Sequence, residues 1–259
     1  MKLATFQAPD EAGPRAGVVD GERVTALADG QRVLELLAGQ PARTGAESWS
    51  LEEVALLAAV DPGTVYAIGL NYAKHIEETG APTPEAPVVF VKVPGSVTGP
   101  SGPIVCPEVV RRLDYEGELT LVMGADREIA GYCIADDVTG RDLQGREPHW
   151  IRGKGADTFC PIGPWVTTAD EVPDPENLRL RTWVNEDLRQ DSSTSDLLFG
   201  PQQLVDFISE TCTLQPGDLI LTGTPSGVGM GMDPPQFLQS GDTVRIEIER
   251  LGSIEHAVA

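Results

Sequence analysis

Asp114-Tyr115-Glu116-Gly117-Glu118-Leu119-Thr120-Leu121-Val122-Met123 packs three acids into five residues and then runs on as an apolar segment. As a strand, its period of two puts Tyr115, Leu119, Leu121 and Met123 on one face and Glu116 and Glu118 together on the other. Carboxylates at i and i+2 of a strand stand roughly 7 Å apart. They repel unless solvent, a proton or a cation intervenes. Taken alone, the pair reads as a solvated strand face. The neighbouring segments count against that.

Downstream, Gly131-Tyr132-Cys133-Ile134-Ala135-Asp136-Asp137-Val138-Thr139-Gly140-Arg141-Asp142 is an apolar run that ends in acids and an arginine. Acids at a strand end face a cleft, and Asp137 can join Glu116 and Glu118 in an all-oxygen site suited to Mg²⁺ or Mn²⁺ rather than zinc. Asp136 and Asp142 compete for that role. Upstream, Ile68 to Gly80 contains Asn71, His75 and Glu78. If Asn71 caps a short helix, His75 and Glu78 lie three apart on one face and form a general acid/base pair. Gly80 and the prolines at 82, 84 and 87 then make a hinge for a lid.

Two glycine-rich segments follow. Arg152-Gly153-Lys154-Gly155 lacks the spacing of a phosphate loop, but a lysine between glycines in so acidic a chain is placed to anchor a substrate oxyanion. Leu221 to Gly231 follows an apolar run, and its glycines can offer backbone N–H groups to a carboxylate. It is not a dinucleotide fingerprint, since no helix-starting pattern follows Gly229. His149 and His256 stand isolated and read as surface or packing residues.

The whole chain constrains the setting. Its 259 residues carry 40 acidic against 19 basic side chains, a net charge of −21, which excludes a general binder of nucleic acid or acidic membranes. Apolar residues at 41% are ordinary for a globular protein, and 28 Gly with 21 Pro favour turns over long helices. No stretch approaches 18 consecutive apolar residues and the first residues have no signal-peptide pattern, so a cytoplasmic protein is expected. Cys106, Cys133, Cys160 and Cys212 form no CxxC pair and read as reduced core thiols. Residues 1–60 read as a small N-terminal module with a hairpin over Gly17–Val24 and helical runs at 31–37 and 51–59. The segment Asp61-Pro62-Gly63 separates it from a β-rich catalytic domain over 61–259, whose main helix is Pro201–Thr211. The class is α+β.

In this order, GLNYAKHIEETG, DYEGEL, IADDVTGRDLQ, RGKGADTFCPIGP, VNEDLRQDSSTSD and LTGTPSGVG resemble the fumarylacetoacetate hydrolase family over about residues 64 to 251. The wording is nearest the branch of acylpyruvate hydrolases, fumarylpyruvate hydrolases and 2-hydroxyhepta-2,4-diene-1,7-dioate isomerases. The resemblance implies a mixed β-roll, a homodimer, and Mg²⁺ or Mn²⁺ on Glu116, Glu118 and Asp137. It also implies a His75–Glu78 dyad, an active-site Lys154, and substrate contacts at Arg141, Gln144 and Thr224. Two departures stand out: Lys92 is followed by Val93-Pro94-Gly95 where relatives read Lys-Pro, and Asn185-Glu186 replaces an Asn-Gly turn.

The function expected on this basis is metal-dependent hydrolysis of a C–C bond in a 2,4-diketo acid through a metal-bound enolate, with the dyad activating water. The same enolate also serves an isomerase, or a decarboxylase of an acid such as oxaloacetate. A keto-acid binder without catalysis is the remaining alternative. In each case the partner is a small 2-oxo acid.

Overall fold

The computed structural model describes residues 1–9 and 11–259. In chain order the elements are β1 (Lys2–Gln7), β2 (Arg15–Asp20), β3 (Arg23–Leu27), α1 (Val33–Leu37), β4 (Thr44–Ser50), β5 (Ala55–Leu56), β6 (Val65–Gly69), α2 (Ala73–Thr79), β7 (Val88–Lys92) and β8 (Val97–Thr98). There follow β9 (Leu113–Asp114), β10 (Gly117–Met123), β11 (Ile129–Asp136), β12 (Thr139–Gly140), α3 (Arg141–Gln144), α4 (Ile151–Lys154) and β13 (Cys160–Thr168). The chain closes with β14 (Arg179–Val184), β15 (Asp187–Ser193), α5 (Pro201–Ser209), β16 (Leu219–Leu221), β17 (Thr243–Ile248) and β18 (Gly252–Ala257). This is the β-rich α+β architecture expected.

A large mixed sheet runs β4-β3-β2-β1-β13-β11-β10-β16-β6-β7, with β16 and β6 parallel and its other neighbours antiparallel. A second, antiparallel sheet runs β15-β14-β17-β18. β10 is buried along its whole length, as a central strand covered on both faces must be. Its side chains divide by the period of two. Leu119, Leu121 and Met123 join the core shared with α5 and with Leu180, Ile246 and Ile254 of the second sheet. Val122 joins a different core with Leu3, Val65, Cys133 and Cys160. Glu116 and Glu118 are on the Val122 side, and they are buried rather than solvated.

β1 pairs with both β2 and β13, so the strands before residue 60 continue the large sheet. The hairpin at 17–24 forms, with Gly21 at φ +56° in the turn between the paired Asp20 and Arg23. The helical run expected at 51–59 does not. Ser50 and Glu53 cap a single turn, and the chain then extends as β5 to pair with β1, so sheet hydrogen bonding overrides local helical pattern. Helix 31–37 shortens to α1, because the Gln31 side chain is used to bind Pro41 and Arg43. In α5, Pro201 occupies the first turn and Leu204, Val205 and Ile208 form the buried stripe. At the substituted turn, Asn185 takes φ +55° while Glu186 does not, so the glutamate meets no left-handed strain. Only Cys133 and Cys160 are core thiols; Cys106 is half-buried and Cys212 exposed. No helix among the described residues is long and apolar enough to cross a membrane.

Gly131 lets β11 approach β13 closely, since a Cβ there would meet the Thr167 carbonyl oxygen at 2.5 Å. Gly131→Ala is expected to cost about 1–3 kcal/mol by overpacking, read as a fall in melting temperature of roughly 2–4 °C per kcal/mol.

Candidate metal and keto-acid site

The site lies where β10 and β11 present their ends to each other. Gly117 pairs with Asp136, which brings Glu116 beside Asp137 across the ladder. The Asp137 N–H donates to the Glu116 carbonyl at 2.9 Å, and the Glu116 N–H donates to Asp136 Oδ1 at 2.8 Å. Oxygens of Glu116, Glu118 and Asp137 fall within 4.8 Å of one another, and all three residues are buried. Asp136 and Asp142 do not join them. Asp136 serves the Glu116 backbone and His256, and Asp142 accepts from the Arg111 N–H.

Cations are already drawn to this trio. Lys154 Nζ bridges Glu116 at 2.7 Å and Asp137 at 2.6 Å. Arg141 Nη1 meets Glu116 at 2.6 Å, while its Nε donates to Asp114 at 2.8 Å. Lys92, 1% exposed, reaches the other oxygen of Asp137 and the Lys154 carbonyl. Lys154 is therefore no loop residue. It ends α4, and Gly153 lets that helix approach α3 so closely that a Cβ would meet the Gln144 nitrogen at 2.8 Å.

Electrostatics divide the two glutamates. Burial opposes ionisation of Glu116, but the Lys154 and Arg141 cations overcome it and hold its carboxyl down at about 2. Glu118 has no such neighbour in contact. Burial, then the charges of Asp137 and Glu116, push it well above the ordinary carboxylate range, against the pull of Lys154 and of the Gly223 N–H that it accepts at 2.7 Å. Lys154 is held charged: burial opposes it, and Asp137 and Glu116 outweigh burial.

A divalent ion fits this donor set. The ligands are hard oxygens, the choice of Mg²⁺ and Mn²⁺. Asp114, Glu116, Glu118, Asp136 and Asp137 are five buried carboxylates, whereas Lys92, Arg141 and Lys154 supply three buried cations. Were all five ionised, the excess of two negative charges would equal the charge of one divalent ion.

His75 Nδ1 lies 3.0 Å from Glu78 Oε2 on α2. Asn71 does not cap that helix. Its buried amide instead binds Phe199 and the Thr222 carbonyl, tying α2's approach to two distant loops. The second oxygen of Glu78 accepts from the Gly227 N–H at 2.8 Å. The glycine loop thus spends its N–H groups on the protein's own acids: Gly223 on Glu118, Gly227 on Glu78, and Gly229 and Met230 on Asp114.

A cavity of about 330 Å³ opens onto these groups. Its lining combines Glu116, Lys154, Arg141, His75, Gln144 and Thr224 with Ile68, Leu70, Phe90, Trp150 and Met230. Gln144 accepts from Arg141 Nη1 at 3.1 Å. Thr224 donates to the Gly117 carbonyl and accepts from Gln190. Arg141 Nη2 is buried without a partner in the protein, a donor in reserve for an anion. Phe90 and Trp150 pack edge to face at 5.1 Å. A larger cavity of about 610 Å³ beside β3 and α1 contains none of the carboxylates of the trio.

Sequence reasoning missed four contributors: Lys92, Asp114, Gln190 and the Phe90–Trp150 wall. The crowding of acids in Asp114-Tyr115-Glu116-Gly117-Glu118 was a signal for Asp114. Nothing local marks Lys92 or Gln190, whose partners lie 45 and 34 residues away.

The family described as Fumarylacetoacetate (FAA) hydrolase C-terminal matches residues 64–259, and that described as Rv2993c-like, N-terminal, matches residues 1–58. The mitochondrial oxaloacetate tautomerase fahd2 of Xenopus laevis is 37% identical over all of this chain and 90% of its own length. A 5-carboxymethyl-2-hydroxymuconate delta-isomerase from Mycobacterium smegmatis superposes with a TM-score of 0.85 at 37% identity, covering 100% of this chain and 99% of that one. A maleylpyruvate hydrolase from Sphingobium sp. SYK-6, solved with manganese(II) and pyruvate, gives 0.79 at 31% identity, again with 100% and 99% covered.

The opposite surroundings of the two glutamates predict opposite effects of neutralisation. Without metal at pH 7, Glu118→Gln is expected to raise the melting temperature by roughly 2–4 °C, since it removes a buried repulsion. Glu116→Gln is expected to lower it, because Lys154 and Arg141 lose a buried partner. The ion pairs of Glu116 stabilise the fold above its ordinary value of 4.5, and this contribution disappears as the pH falls towards about 2. Thermal scans in EDTA across pH check both signs.

Proposed function

Because the chain belongs to the fumarylacetoacetate hydrolase family, we propose that it is an enzyme that interconverts the keto and enol forms of a small 2-oxo acid, of which oxaloacetate is the type. What carries the reading is one cavity lined by His75, the buried Lys154 and Glu116, the last a member of the carboxylate trio. The tautomerase and isomerase names of its relatives support it.

Glu116, Glu118 and Asp137 would hold the divalent ion, which supplies Lewis acidity towards the 2-oxo group when bound. Arg141 Nη2 binds the substrate carboxylate, and Asp114 keeps the guanidinium in place. Lys154 Nζ stabilises the negative charge that develops on the 2-oxygen as the enolate forms. The Glu78 carboxylate accepts the Nδ1–H of His75, which assigns the tautomer and leaves Nε2 as the nitrogen that takes a proton from carbon 3 or returns it. The Gly227 N–H holds Glu78, so the ring is fixed in orientation. Net exchange of one proton between carbon and oxygen completes the reaction.

A second reading is hydrolysis of an acylpyruvate, in which the same dyad activates water. The wall of Ile68, Leu70, Phe90, Trp150 and Met230 favours it, because these side chains offer an acyl group an apolar surface, with Lys154 Nζ 5.2 Å from the centre of the Phe90 ring.

Oxaloacetate and acetylpyruvate, offered in parallel with Mg²⁺ or Mn²⁺ and with EDTA controls, separate the two. Accelerated loss of enol absorbance from oxaloacetate, with its carbon skeleton intact by NMR, is the expected result. Pyruvate and acetate from acetylpyruvate, with oxaloacetate unaffected, would transfer the function to the hydrolase. Under either reading His75→Ala is expected to lower kcat by roughly 10²–10⁴-fold.

A further inference from the structure

His256 occupies a core-facing position of β18, between Ile254 and Val258, which both belong to the main apolar core. An imidazole in such a register position is costly unless it is hydrogen-bonded. Its Nε2 lies 2.8 Å from Asp136 Oδ2, and its Nδ1 is buried without a partner. The ring is therefore held by a single contact, and that contact is the residue next to Asp137. Asp136 is itself fully buried, and its other oxygen accepts the Glu116 N–H at 2.8 Å. The Glu116 carbonyl is meanwhile fixed by the Asp137 N–H at 2.9 Å.

These bonds form a short path from the second sheet into the carboxylate trio. Asp136 Oδ1 sets the backbone of Glu116, while Asp136 Oδ2 has one partner, His256, to keep the carboxylate from rotating away. The one hydrogen bond of the ring is that between Nε2 and Asp136 Oδ2. Nδ1 is buried without a partner, a cost that the Asp136 bond must exceed for the arrangement to persist.

We propose that His256 is a positioning residue for the metal site, acting through Asp136 to hold Glu116 at the spacing from Asp137 that a divalent ion requires. The inference rests on reading the trio as a metal site. Partners that orient ligands in this way typically change metal affinity by about 10–100-fold when removed. The site is thus joined to the C-terminal strand, far away in sequence, through one imidazole.

Mn²⁺ titration followed by the EPR signal of the free ion tests this on the full chain, with folding checked by thermal scans in EDTA. His256→Phe conserves the ring volume and removes the donor; His256→Gln returns a donor near the position of Nε2. Mn²⁺ affinity is expected to fall about tenfold or more in the first and to stay close to that of the unaltered protein in the second. His256→Leu, which also removes the hydrogen-bonding nitrogen, is expected to behave as His256→Phe does, and it carries the test should the phenylalanine variant not fold. Unchanged affinity in His256→Phe or in His256→Leu overturns the proposal, as does an equal loss in His256→Gln and His256→Phe. Failure of the unaltered protein to bind Mn²⁺ would instead overturn the metal reading itself.

Discussion

Burying five carboxylates, three at Asp114–Glu118 and two at Asp136–Asp137, where β10 and β11 meet is the constraint to which the rest of the structure answers. Each would repel its neighbours and lose its hydration, so each must find a cation, a hydrogen-bond donor or a proton. Asp114 takes Arg141 and two loop N–H groups, Glu116 takes Arg141 and Lys154, and Asp137 takes Lys92 and Lys154. Asp136 takes His256 and the Glu116 N–H. Glu118 is the least served, with only the Gly223 N–H, and it is the one pushed well above its ordinary range. A divalent ion is the partner this set still calls for.

That requirement explains features that look unrelated. The cations come from separate elements, Lys92 from the end of β7, Arg141 from α3 and Lys154 from α4, because a single segment could not surround the trio. The Leu221–Gly231 loop is rich in glycine because a Cβ would meet the Arg189 carbonyl at Gly227, Gln236 and Asp114 at Gly229 and Glu78 at Gly231, and because Gly223 and Gly227 take positive φ. Gly153 has the same origin, since only without a side chain can α4 bring Lys154 beside α3. The apolar cores on either side of β10 exclude water and so strengthen every interaction in the cluster.

The same arrangement accounts for the range of names among the relatives. A charged pocket that stabilises negative charge on the oxygen of a 2-oxo acid lowers the barrier to any step that leaves an enolate. Tautomerisation and isomerisation reach it by losing a proton from carbon, whereas hydrolysis reaches it by breaking a C–C bond after water adds to the distal carbonyl. In this chain the cavity also carries apolar side chains, among them the edge-to-face Phe90–Trp150 pair.

The sequence by itself determined the strand character of Gly117–Met123, the division of its faces, the amphipathic α5, and the pairing of His75 with Glu78, because each depends only on spacing within one element. It also marked the all-oxygen trio, with Asp136 and Asp142 left as rivals of Asp137. Only the tertiary structure decided that Asp137 faces Glu118 while Asp136 turns to His256, since that choice depends on the β10–β11 register and on a strand 120 residues further on. It likewise decided that Asn71 ties loops instead of capping α2, that residues 51–59 extend beside β1, and that Lys92 enters the cluster. Local pattern reports the period of a side chain, whereas burial and charge partnership are set by whichever distant backbone arrives beside it.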